Sequence, residues 1–401
     1  MSIRSSACDV LVVGGGPAGL AAAIALRQRG AEVVVAEALR PPIDKSCGEG
    51  LMPDSLRELA RLGVELEASR GAEFQGILFA DERTRVSAEF PRGAGLGVRR
   101  PALQRALLER AMELGVRFRW GSPVTARKDT AVTVGGERAT HRWLVGADGN
   151  ASRVRAWAEL EAETLRSRRF GFRAHYRVAP WSEYVEIHWG GRGEAYVTPV
   201  NDHEVCVAGM SRRAEARLDA ILEALPALRE RLAGAEKTTA ERGAVTLTRR
   251  LRRVTRANVA LVGDASGSAD AITGEGLGMA FRQALLLAES IEAGGLERYE
   301  AGHTRILELP QRMARLMLLM DRFPALRGRA LRAMAARPGL LRGLLAVHVG
   351  EQPLGRFALR HGATLGALML AQKATQRTVL ARPQDVTAQG PSCAAATNGR
   401  N

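Results

Sequence analysis

The chain has few cysteines, few aromatic residues and no long apolar run, and each shortage excludes a class of protein. Its four cysteines are scattered over 401 residues, so they form neither a disulfide framework nor a set of metal ligands. No apolar run reaches the ~18 residues of a membrane-spanning helix, and the first residues show no secretory signal. We therefore expect a reduced, cytoplasmic protein that holds no metal.

The positive charge of the chain is concentrated in its last quarter. Residues 301–401 contain fifteen Lys and Arg against four Asp and Glu, so about +11 of the net charge of +15 lies there. Phe323 and Phe357 are the two aromatic residues of this quarter, which leaves no platform for stacking bases, and we expect no nucleic acid partner. Arginines border leucines in this region, a composition that suits either a solvated face or a peripheral contact with an anionic membrane.

The first motif is a glycine loop inside a strand-helix-strand pattern. Residues 10–13 are apolar and, apart from Leu11, β-branched, which predicts a buried parallel strand. Residues 18–29 predict a helix that ends at Gly30, and 32–37 predict a second strand. The loop between the first strand and the helix has the order G-x-G-x-x-G, with a proline where its missing N–H costs little. The loop residues that we expect at a nucleotide are Gly14, Gly16, Pro17, Ala18 and Gly19.

Each glycine of this loop has a distinct physical role. Gly14 permits the tight turn, Gly16 lets a pyrophosphate approach the backbone, and Gly19 lets helix and strand pack closely. The N-terminus of the helix offers free N–H groups to phosphates. Glu37, at the end of the second strand, can accept hydrogen bonds from a ribose hydroxyl. The loop alone leaves NAD and FAD open, although its position at the N-terminus favours FAD.

Two later turns have the same design, a strand that ends in glycines and a carboxylate. The sequence GADG occupies residues 146–149, and VGDAS is followed by TGEG at 273–276, before a helix that we expect to extend to about residue 291. The carboxyl ends of strands in open α/β sheets are where ligands bind. Asp264 is suited to a ribityl hydroxyl, and the backbone around Gly274 and Gly276 to negative charge on a reduced flavin ring. Taken alone, each of these turns could equally be an ordinary β-turn or a turn that binds a ligand.

Together and in this order, the three motifs resemble those of the FAD-dependent oxidoreductases of the para-hydroxybenzoate hydroxylase fold. This superfamily includes aromatic monooxygenases, flavin-dependent halogenases and geranylgeranyl reductases, and the resemblance covers roughly residues 8–300. It implies an α/β fold, with a Rossmann-type FAD-binding domain, an inserted antiparallel β-sheet substrate domain and a helical C-terminal region. The expected division is 1–73, 91–165 and 250–300 for FAD, 74–90 and 166–249 for substrate, 301–382 for the helices, and 383–401 for a disordered tail.

The resemblance also implies particular contacts with FAD. Arg100 fits an Arg-x-x-Leu position before a long helix, although a solvated arginine at a helix start is the alternative. Val124 falls where the family uses a backbone contact to adenine, and Asp148 and Arg153 fall where it supports FAD and reduced nicotinamide. NAD(P)H is accordingly the expected electron donor. The further residues expected at the cofactor are Gly149, Gly263, Asp264, Gly274, Gly276 and Leu277.

The stretch DKSCGEGLMP, residues 44–53, resembles the flavin-side loop of the geranylgeranyl reductase branch. By that resemblance Lys45, Cys47, Gly48 and Gly50 lie at the cofactor, with glycines that let the backbone approach the ring. Cys47 is the catalytic candidate, because a thiol there can donate a proton. The alternative is an inert thiol that fills space, since nothing in the sequence indicates a lowered thiol pKa.

The middle segment, residues 170–211, alternates apolar and polar residues between turn signals and predicts an antiparallel sheet above the flavin. We expect its inner face to carry residues from a set of five aromatic or imidazole side chains, namely Tyr176, Tyr184, His188, Trp189 and Tyr196. The halogenase motif Trp-x-Trp-x-Ile-Pro is absent. The reductase motif Tyr-x-Trp-x-Phe-Pro is reduced to AYVTPV at 195–200, which weakens a reductase assignment.

The leading hypothesis is therefore an NAD(P)H-dependent monooxygenase that hydroxylates a hydrophobic aromatic or polyketide-type small molecule. The alternative is reduction of carbon–carbon double bonds in an isoprenoid or quinone, with Cys47 as the acid. A third possibility is a non-catalytic protein that binds flavin or a membrane surface. No G-x-S-x-G elbow, H-E-x-x-H pair or phosphate loop that ends in Gly-Lys-Ser/Thr supports other chemistry.

Overall fold

The computed structural model describes residues 8–66, 71–128, 131–160 and 162–371, with the side chains of 162–167 left out. The predicted disordered tail, 383–401, lies outside the described residues, as does the stretch 372–382 of the predicted helical region. Within the described residues the fold is of the α/β class, with two eight-stranded sheets and one three-stranded sheet.

The first large sheet contains the strands that carry the glycine turns. Its strands are β1 (Cys8–Val13), β2 (Val33–Glu37), β8 (Arg117–Trp120), β9 (Val124–Lys128), β10 (Ala131–Val134), β11 (Glu137–Gly146), β18 (Thr255–Arg256) and β19 (Val259–Leu261). The order β19-β11-β1-β2-β8 is parallel throughout, β18 pairs antiparallel with β19, and β9 and β10 form antiparallel pairs beside β11. The three turns therefore leave the sheet at the same edge, because β1, β11 and β19 are adjacent and parallel.

Helices cover both faces of this sheet. The helices α1 (Pro17–Gln28), α3 (Arg100–Glu113) and α7 (Gly276–Glu292) share one buried core, and the short α4 (Arg153–Trp157) packs on the opposite face. Helix α1 begins at Pro17 and ends before Gly30, whose φ of +83° is the left-handed conformation that glycine adopts freely at a helix end. The boundaries of the helix and of both strands in the first motif match the predicted ones to within two residues.

A small sheet joins the two large ones. It consists of β3 (Gly50–Leu51), β4 (Gly71–Phe74) and β7 (Gly95–Val98) in the order β3-β7-β4. Because β3 continues the stretch 44–50, this sheet fixes the far end of that loop. Helix α2 (Pro53–Arg61) follows directly.

The second large sheet is the predicted cover, and it is antiparallel with one exception. It consists of β5 (Gly76–Ala80), β6 (Arg85–Glu89), β12 (Ala162–Arg177), β13 (Tyr184–Gly190), β14 (Gly193–Asn201), β15 (Glu204–Ser211), β16 (Glu236–Lys237) and β17 (Arg242–Leu251). The path is β16-β12-β15-β14-β13-β5-β6, with β17 also on β12. The pair β5–β13 is parallel, because β5 enters from an earlier part of the chain rather than through a hairpin. The division of the chain into domains stays a prediction.

The two faces of this cover sheet are buried by different helices. The outer face packs against α5 (Leu218–Glu223) and α6 (Pro226–Arg231). The inner face packs against the C-terminal helices, α8 (Glu297–Arg322), α9 (Pro324–Ala336), α10 (Pro338–His348) and α11 (Leu354–Ala371). Among the described residues, no helix is both long and apolar enough to cross a membrane.

Of the five aromatic and imidazole residues from which the inner face was expected to draw, two lie on that face and three do not. Tyr176 packs in the outer core with α5 and α6. Tyr184 and His188 share a strand face with Glu186, whose cross-strand partner Val197 also lies in the outer core. Trp189 and Tyr196 face inward. The strict alternation of strand side chains places each set, but the sequence alone did not show which face was the inner one.

We predict that Gly19→Ala destabilises the protein even without cofactor. A Cβ on residue 19 would lie 1.9 Å from the carbonyl oxygen of Gly14, a backbone atom that cannot move aside. We expect the free energy of unfolding in urea to fall by at least about 2 kcal/mol. The control is Gly366→Ala in α11, where a Cβ meets nothing within 4 Å. Equal stability of the two variants would contradict the close packing described here.

Candidate functional site

The glycine loop and the GADG turn are in direct contact. Gly14 has φ +116°, and a Cβ on it would lie 2.4 Å from the carbonyl oxygen of Ala147. A Cβ on Gly19 would meet the carbonyl of Gly14, as noted above, whereas a Cβ on Gly16 would meet nothing within 4 Å. Gly14 and Gly19 are therefore needed for packing, and Gly16 borders open space at the start of α1, next to Pro17 and Ala18.

Glu37 closes one end of this loop. Its carboxylate accepts hydrogen bonds from the backbone N–H of Gly15 at 2.7 Å and of Leu39 at 3.0 Å. The backbone carbonyl of Glu37 accepts from the N–H of Ser122 at 2.9 Å, which brings the start of β9 alongside. Val124, the first residue of β9, has a buried side chain. The residues predicted for the ribose and adenine therefore lie close together.

Asp148 orders the second turn. One of its carboxylate oxygens accepts from the backbone N–H of Arg153 at 2.7 Å and of Val154 at 3.2 Å, and so caps α4. The other oxygen, Oδ1, is buried and has no partner among the described residues. Gly149 has φ +77°, and Arg153 is exposed. The predicted residues of this turn thus combine a structural cap with one oxygen that is left for a ligand.

The third turn lies against the first. Gly263 has φ +61°, and a Cβ on it would lie 2.7 Å from the Cβ of Ala18. Gly274 also has a positive φ, of +70°, and Gly276 opens α7 with nothing within 4 Å of its would-be Cβ. The side chain of Leu277 packs against the core of the first sheet. The start of α7 therefore presents free backbone N–H groups to open space.

Asp264 lies in a crevice between these turns, among positive charges. Water still reaches its side chain from the open side. The crevice walls displace much of the surrounding water, which raises the pKa of the Asp264 carboxyl, and the charges of Arg100, Lys45 and Arg249 oppose that shift. The Nε of Arg100 is buried and has no partner among the described residues. Two predicted cofactor residues, Lys45 and Arg100, thus lie near a third, Asp264, in this crevice.

The loop 44–50 lies against the inner face of the cover sheet. The thiol of Cys206 in β15 donates to the carbonyl of Cys47 at 3.8 Å, and the hydroxyl of Thr198 in β14 donates to the carbonyl of Gly48 at 2.8 Å. Cys47 is half-buried, and its sulfur accepts from the N–H of Glu49 at 3.4 Å. A Cβ on Gly48 would meet nothing within 4 Å, and one on Gly50 only ordinary contacts at 3.7 Å.

A buried ionic cluster fixes this loop, and the sequence did not reveal it. Arg173 of β12 donates to Glu49 at 2.7 Å and to Asp44 at 2.7 Å. The ring of His175 lies 2.7 Å from the other oxygen of Glu49. Burial alone would lower the pKa of Arg173, and the carboxylates of Glu49 and Asp44 together raise it.

A second buried cluster fixes the turn before α7. Arg169 of β12 forms ion pairs with Glu194 of β14 and, at 3.1 Å, with Asp270. The hydroxyl of Tyr196 donates to the carbonyl of Ile272 at 3.0 Å. Burial raises the pKa of Glu194 to about 7, although the charge of Arg169 opposes the shift. Arg169 and Arg173 lie four residues apart on one strand and therefore face the same side.

One signal in the sequence could have indicated these clusters. Arg169 and Arg173 share one face of β12, opposite Phe170 and Phe172, and buried charges on a strand require acidic partners. The partners themselves lie 25 to 129 residues away along the chain, so spacing did not identify them.

An open cleft of about 840 Å³ lies elsewhere, on the outer side of the cover sheet. Its lining includes Trp181, Tyr184, Glu186 and Arg231. Tyr184 and Glu186 face away from the glycine turns, so this cleft is not part of the candidate site.

The residues present fit FAD. Open space borders Gly16, Gly48 and Gly276, where glycine leaves room for a ligand against the backbone. Two buried polar atoms, Oδ1 of Asp148 and Nε of Arg100, have no partner within the described part of the chain. Two helix N-termini open toward the same crevice and favour the negative charge of a pyrophosphate or a reduced ring.

Comparison with known proteins agrees with this geometry. A family model described as FAD binding domain matches residues 7–294. The menaquinone reductase of Mycolicibacterium smegmatis is 27% identical over 358 residues, which are 79% of this chain and 85% of the relative. YetM of Bacillus subtilis, provisionally named an FAD-dependent monooxygenase, is 26% identical over 71% of this chain and 84% of the relative.

Other relatives match only a part of the chain or show only the fold. A tetracycline-pathway monooxygenase of Streptomyces rimosus is 32% identical over 161 residues, 37% of this chain and 32% of the relative. The crystal structure of a flavoprotein/dehydrogenase from Cytophaga hutchinsonii superposes with a TM-score of 0.79 at 17% identity, over 92% of this chain and all of that one.

We predict that Gly16→Ala folds normally but loses affinity for FAD. The backbone at residue 16 has φ −75°, which alanine adopts, and its methyl group would project into the space predicted for the pyrophosphate. We expect the dissociation constant of FAD to rise at least about tenfold, a loss of about 1.4 kcal/mol. Fluorescence titration measures it, with Gly366→Ala as control. Unchanged affinity would contradict the predicted position of the pyrophosphate.

We predict that Glu194→Gln alters the dependence of stability on pH. The pKa of Glu194 in the folded protein is raised from 4.5 to about 7, so its contribution is present at low pH and is lost as the pH rises toward about 7. Glutamine cannot titrate and avoids that loss. The free energy of unfolding of the variant, relative to the unmodified protein, should therefore increase by about 2.5 kcal/mol between about pH 5 and pH 8. A difference that stays constant over this range would refute the assignment.

Proposed function

The chain belongs to the family of FAD-binding domain flavoproteins, and on that premise we propose that it is an NAD(P)H-dependent monooxygenase. It is an FAD-dependent oxidoreductase of the para-hydroxybenzoate hydroxylase fold. The proposed substrate is a hydrophobic aromatic or polyketide-type molecule. Membership of the family supports FAD as the cofactor. The choice of monooxygenation as the reaction rests on the surroundings of the loop 44–50 and of the turn before α7.

The observation that carries this proposal is an apolar wall that adjoins those loops. Met52, which follows the loop 44–50, and Ile272, in the turn before α7, pack in one buried cluster with Trp189 of the cover sheet and Met317 of α8. The Cε of Met52 lies 4.0 Å from the Cβ position of Gly274, so the wall reaches both loops. A wall of this kind excludes water, and the transfer of oxygen to a substrate requires that exclusion. The wall also accommodates an apolar substrate.

The chain's own residues have distinct roles in this proposal. Bound FAD, once reduced by NAD(P)H, supplies the electrons that activate oxygen. Gly16 and the start of α1 hold the pyrophosphate, and Asp264 accepts hydrogen bonds from the ribityl chain. The N–H groups at Gly274 and Gly276 favour the negative charge of the reduced ring. Methionines of the wall provide a pliable boundary for the substrate.

A second candidate reaction is reduction of a carbon–carbon double bond in an isoprenoid or quinone. The menaquinone reductase relative supports it, because it matches 79% of this chain. The position of Cys47 also supports it, since the half-buried thiol lies on the loop proposed to follow the flavin. In that reaction the thiol donates the proton that completes the reduction, and the chain's acid is regenerated from solvent.

We further propose a peripheral membrane contact through the C-terminal helices. Leu316 and Leu319 of α8 and Phe323, which caps the end of that helix, are 41 to 47% exposed, and Arg315 and Arg322 lie next to them in the chain. Apolar side chains bordered by arginine suit an anionic lipid surface. Such a contact would bring the enzyme to the compartment where a hydrophobic substrate dissolves.

Oxygen uptake and the variant Cys47→Ser together distinguish the two reactions. With NADPH and a panel of lipophilic phenols and quinones, including menaquinone, hydroxylation predicts one oxygen consumed per product and incorporation of labelled oxygen. Cys47→Ser should then keep turnover within about threefold, because no proton from the thiol is needed. Anaerobic turnover that falls about a hundredfold or more in Cys47→Ser would overturn hydroxylation in favour of reduction.

A further inference from the structure

Glu49 adopts a backbone conformation that glycine would adopt more easily. Its φ of +60° lies in the left-handed region, at a steric cost for a residue with a Cβ. Glycines stand on both sides of it, at 48 and 50, so the loop is already glycine-rich. A glutamate kept at this position indicates that its side chain does something that glycine cannot do.

The carboxylate of Glu49 is buried and joins three separate parts of the fold. One oxygen accepts from Arg173 at 2.7 Å and from the backbone N–H of Arg100, at the start of α3, at 2.9 Å. The other oxygen lies 2.7 Å from the ring of His175. Glu49 is 2% exposed, so these charged contacts operate away from water, where they are strong and directional.

The same side of the loop is tied to the sheet by its backbone. The carbonyls of Cys47 and Gly48 accept from Cys206 and Thr198, as described above, so both point toward the sheet. In a planar trans peptide the N–H points opposite to the carbonyl. The N–H of Gly48 therefore points away from Cys206 and from the cover sheet.

The cluster of Glu49, His175 and Arg173 does not favour a bound metal ion. Single ligand atoms of Glu49, His175 and Cys206 lie within 4.8 Å of one another, which is close enough to hold a cation. However, the guanidinium of Arg173 lies 2.7 Å from Glu49 and 3.3 Å from the Nε2 of His175. The position is thus taken by a side-chain cation, which would repel a second one.

We propose that Glu49 is a positioning residue, which together with Arg173 orients the backbone of the loop 44–50 so that the N–H of Gly48 faces the flavin ring. The inference rests on the proposed placement of the ring at this loop, and it does not depend on whether the enzyme hydroxylates or reduces. Glu49 itself does not touch substrate or cofactor in this account; it acts through the loop. The cover sheet thereby sets the surroundings of the ring.

The test measures bound flavin rather than turnover. In Glu49→Gln the charge is lost but the size is kept, so Arg173 loses one of its two carboxylates. We expect the dissociation constant of FAD to rise about tenfold or more. At saturating FAD, the visible absorption spectrum and the midpoint potential should both shift, because the N–H of Gly48 no longer holds its position against the ring.

The matched control is Glu204→Gln. Glu204 of β15 accepts from Arg99 at 2.6 Å, so it also joins the cover sheet to the start of α3, but its hydrogen bonds within the described residues go to Arg99 and to Thr238 rather than to the loop. The same chemical change there should leave the FAD spectrum and potential unchanged. An equal shift in both variants, or no shift in Glu49→Gln, would overturn the proposal. Unmodified protein that binds no FAD would instead refute the flavin site itself.

Two further variants separate positioning from folding. Glu49→Gly relieves the backbone cost and removes the side chain, so a merely conformational role predicts a normal flavin spectrum and our proposal predicts a shifted one. In the double variant Glu49→Gln/Arg173→Gln, the rise in the dissociation constant should be no larger than that of the worse single variant, because the two residues act as one unit. Independent effects that multiply would contradict the pairing.

Discussion

Two buried arginines on one strand tie the cover sheet to the loops of the candidate site. Arg169 and Arg173 lie on the inner face of β12, and each forms an ion pair with a carboxylate on a different loop, Asp270 in one case and Glu49 in the other. Placing charges in the interior is costly, and removing one partner of such a pair is strongly destabilising. The arrangement is therefore specific, because any other docking of the sheet would leave these guanidinium groups without partners.

The site depends on this docking as much as on the glycine motifs. The motifs provide open space and free N–H groups at Gly16 and Gly276, and these lie on a rigid parallel sheet. The small sheet fixes only the far end of the loop 44–50; the cover sheet holds the rest at the carbonyls of Cys47 and Gly48 and at the side chain of Glu49. The same sheet, with the C-terminal helices, supplies the apolar wall. Cofactor geometry and substrate space thus share one structural element.

The sequence predicted what local chemistry determines. The strand, turn and helix around Gly14, Gly16 and Gly19 followed from spacing alone, because the close contacts that require Gly14 and Gly19 lie within the motif and with the neighbouring GADG turn. The family resemblance then predicted FAD and the α/β fold, which the family match and the folds of solved structures confirm. The positions of individual cofactor residues stay predictions, although the structure brings Asp148, Asp264 and Arg100 to one crevice.

What the sequence did not predict depends on contacts between distant residues. Glu49 looked like part of a turn, since its partner Arg173 lies 124 residues away. Tyr176 was a candidate for the inner face, because alternation along a strand does not show which face lies against the loops of the candidate site. The identity of the substrate could not be predicted for the same reason. The residues of the apolar wall, such as Met52, Trp189 and Met317, come into contact only after the chain has folded.

The decisive measurement is a structure of the complex with FAD. We expect the pyrophosphate beside Gly16 and the ring between the loop 44–50 and the start of α7, with the N–H of Gly48 facing the ring and the ion pairs of Arg169 and Arg173 intact. A ring bound elsewhere, or bound at this place with the loop released from the cover sheet, would contradict this expectation.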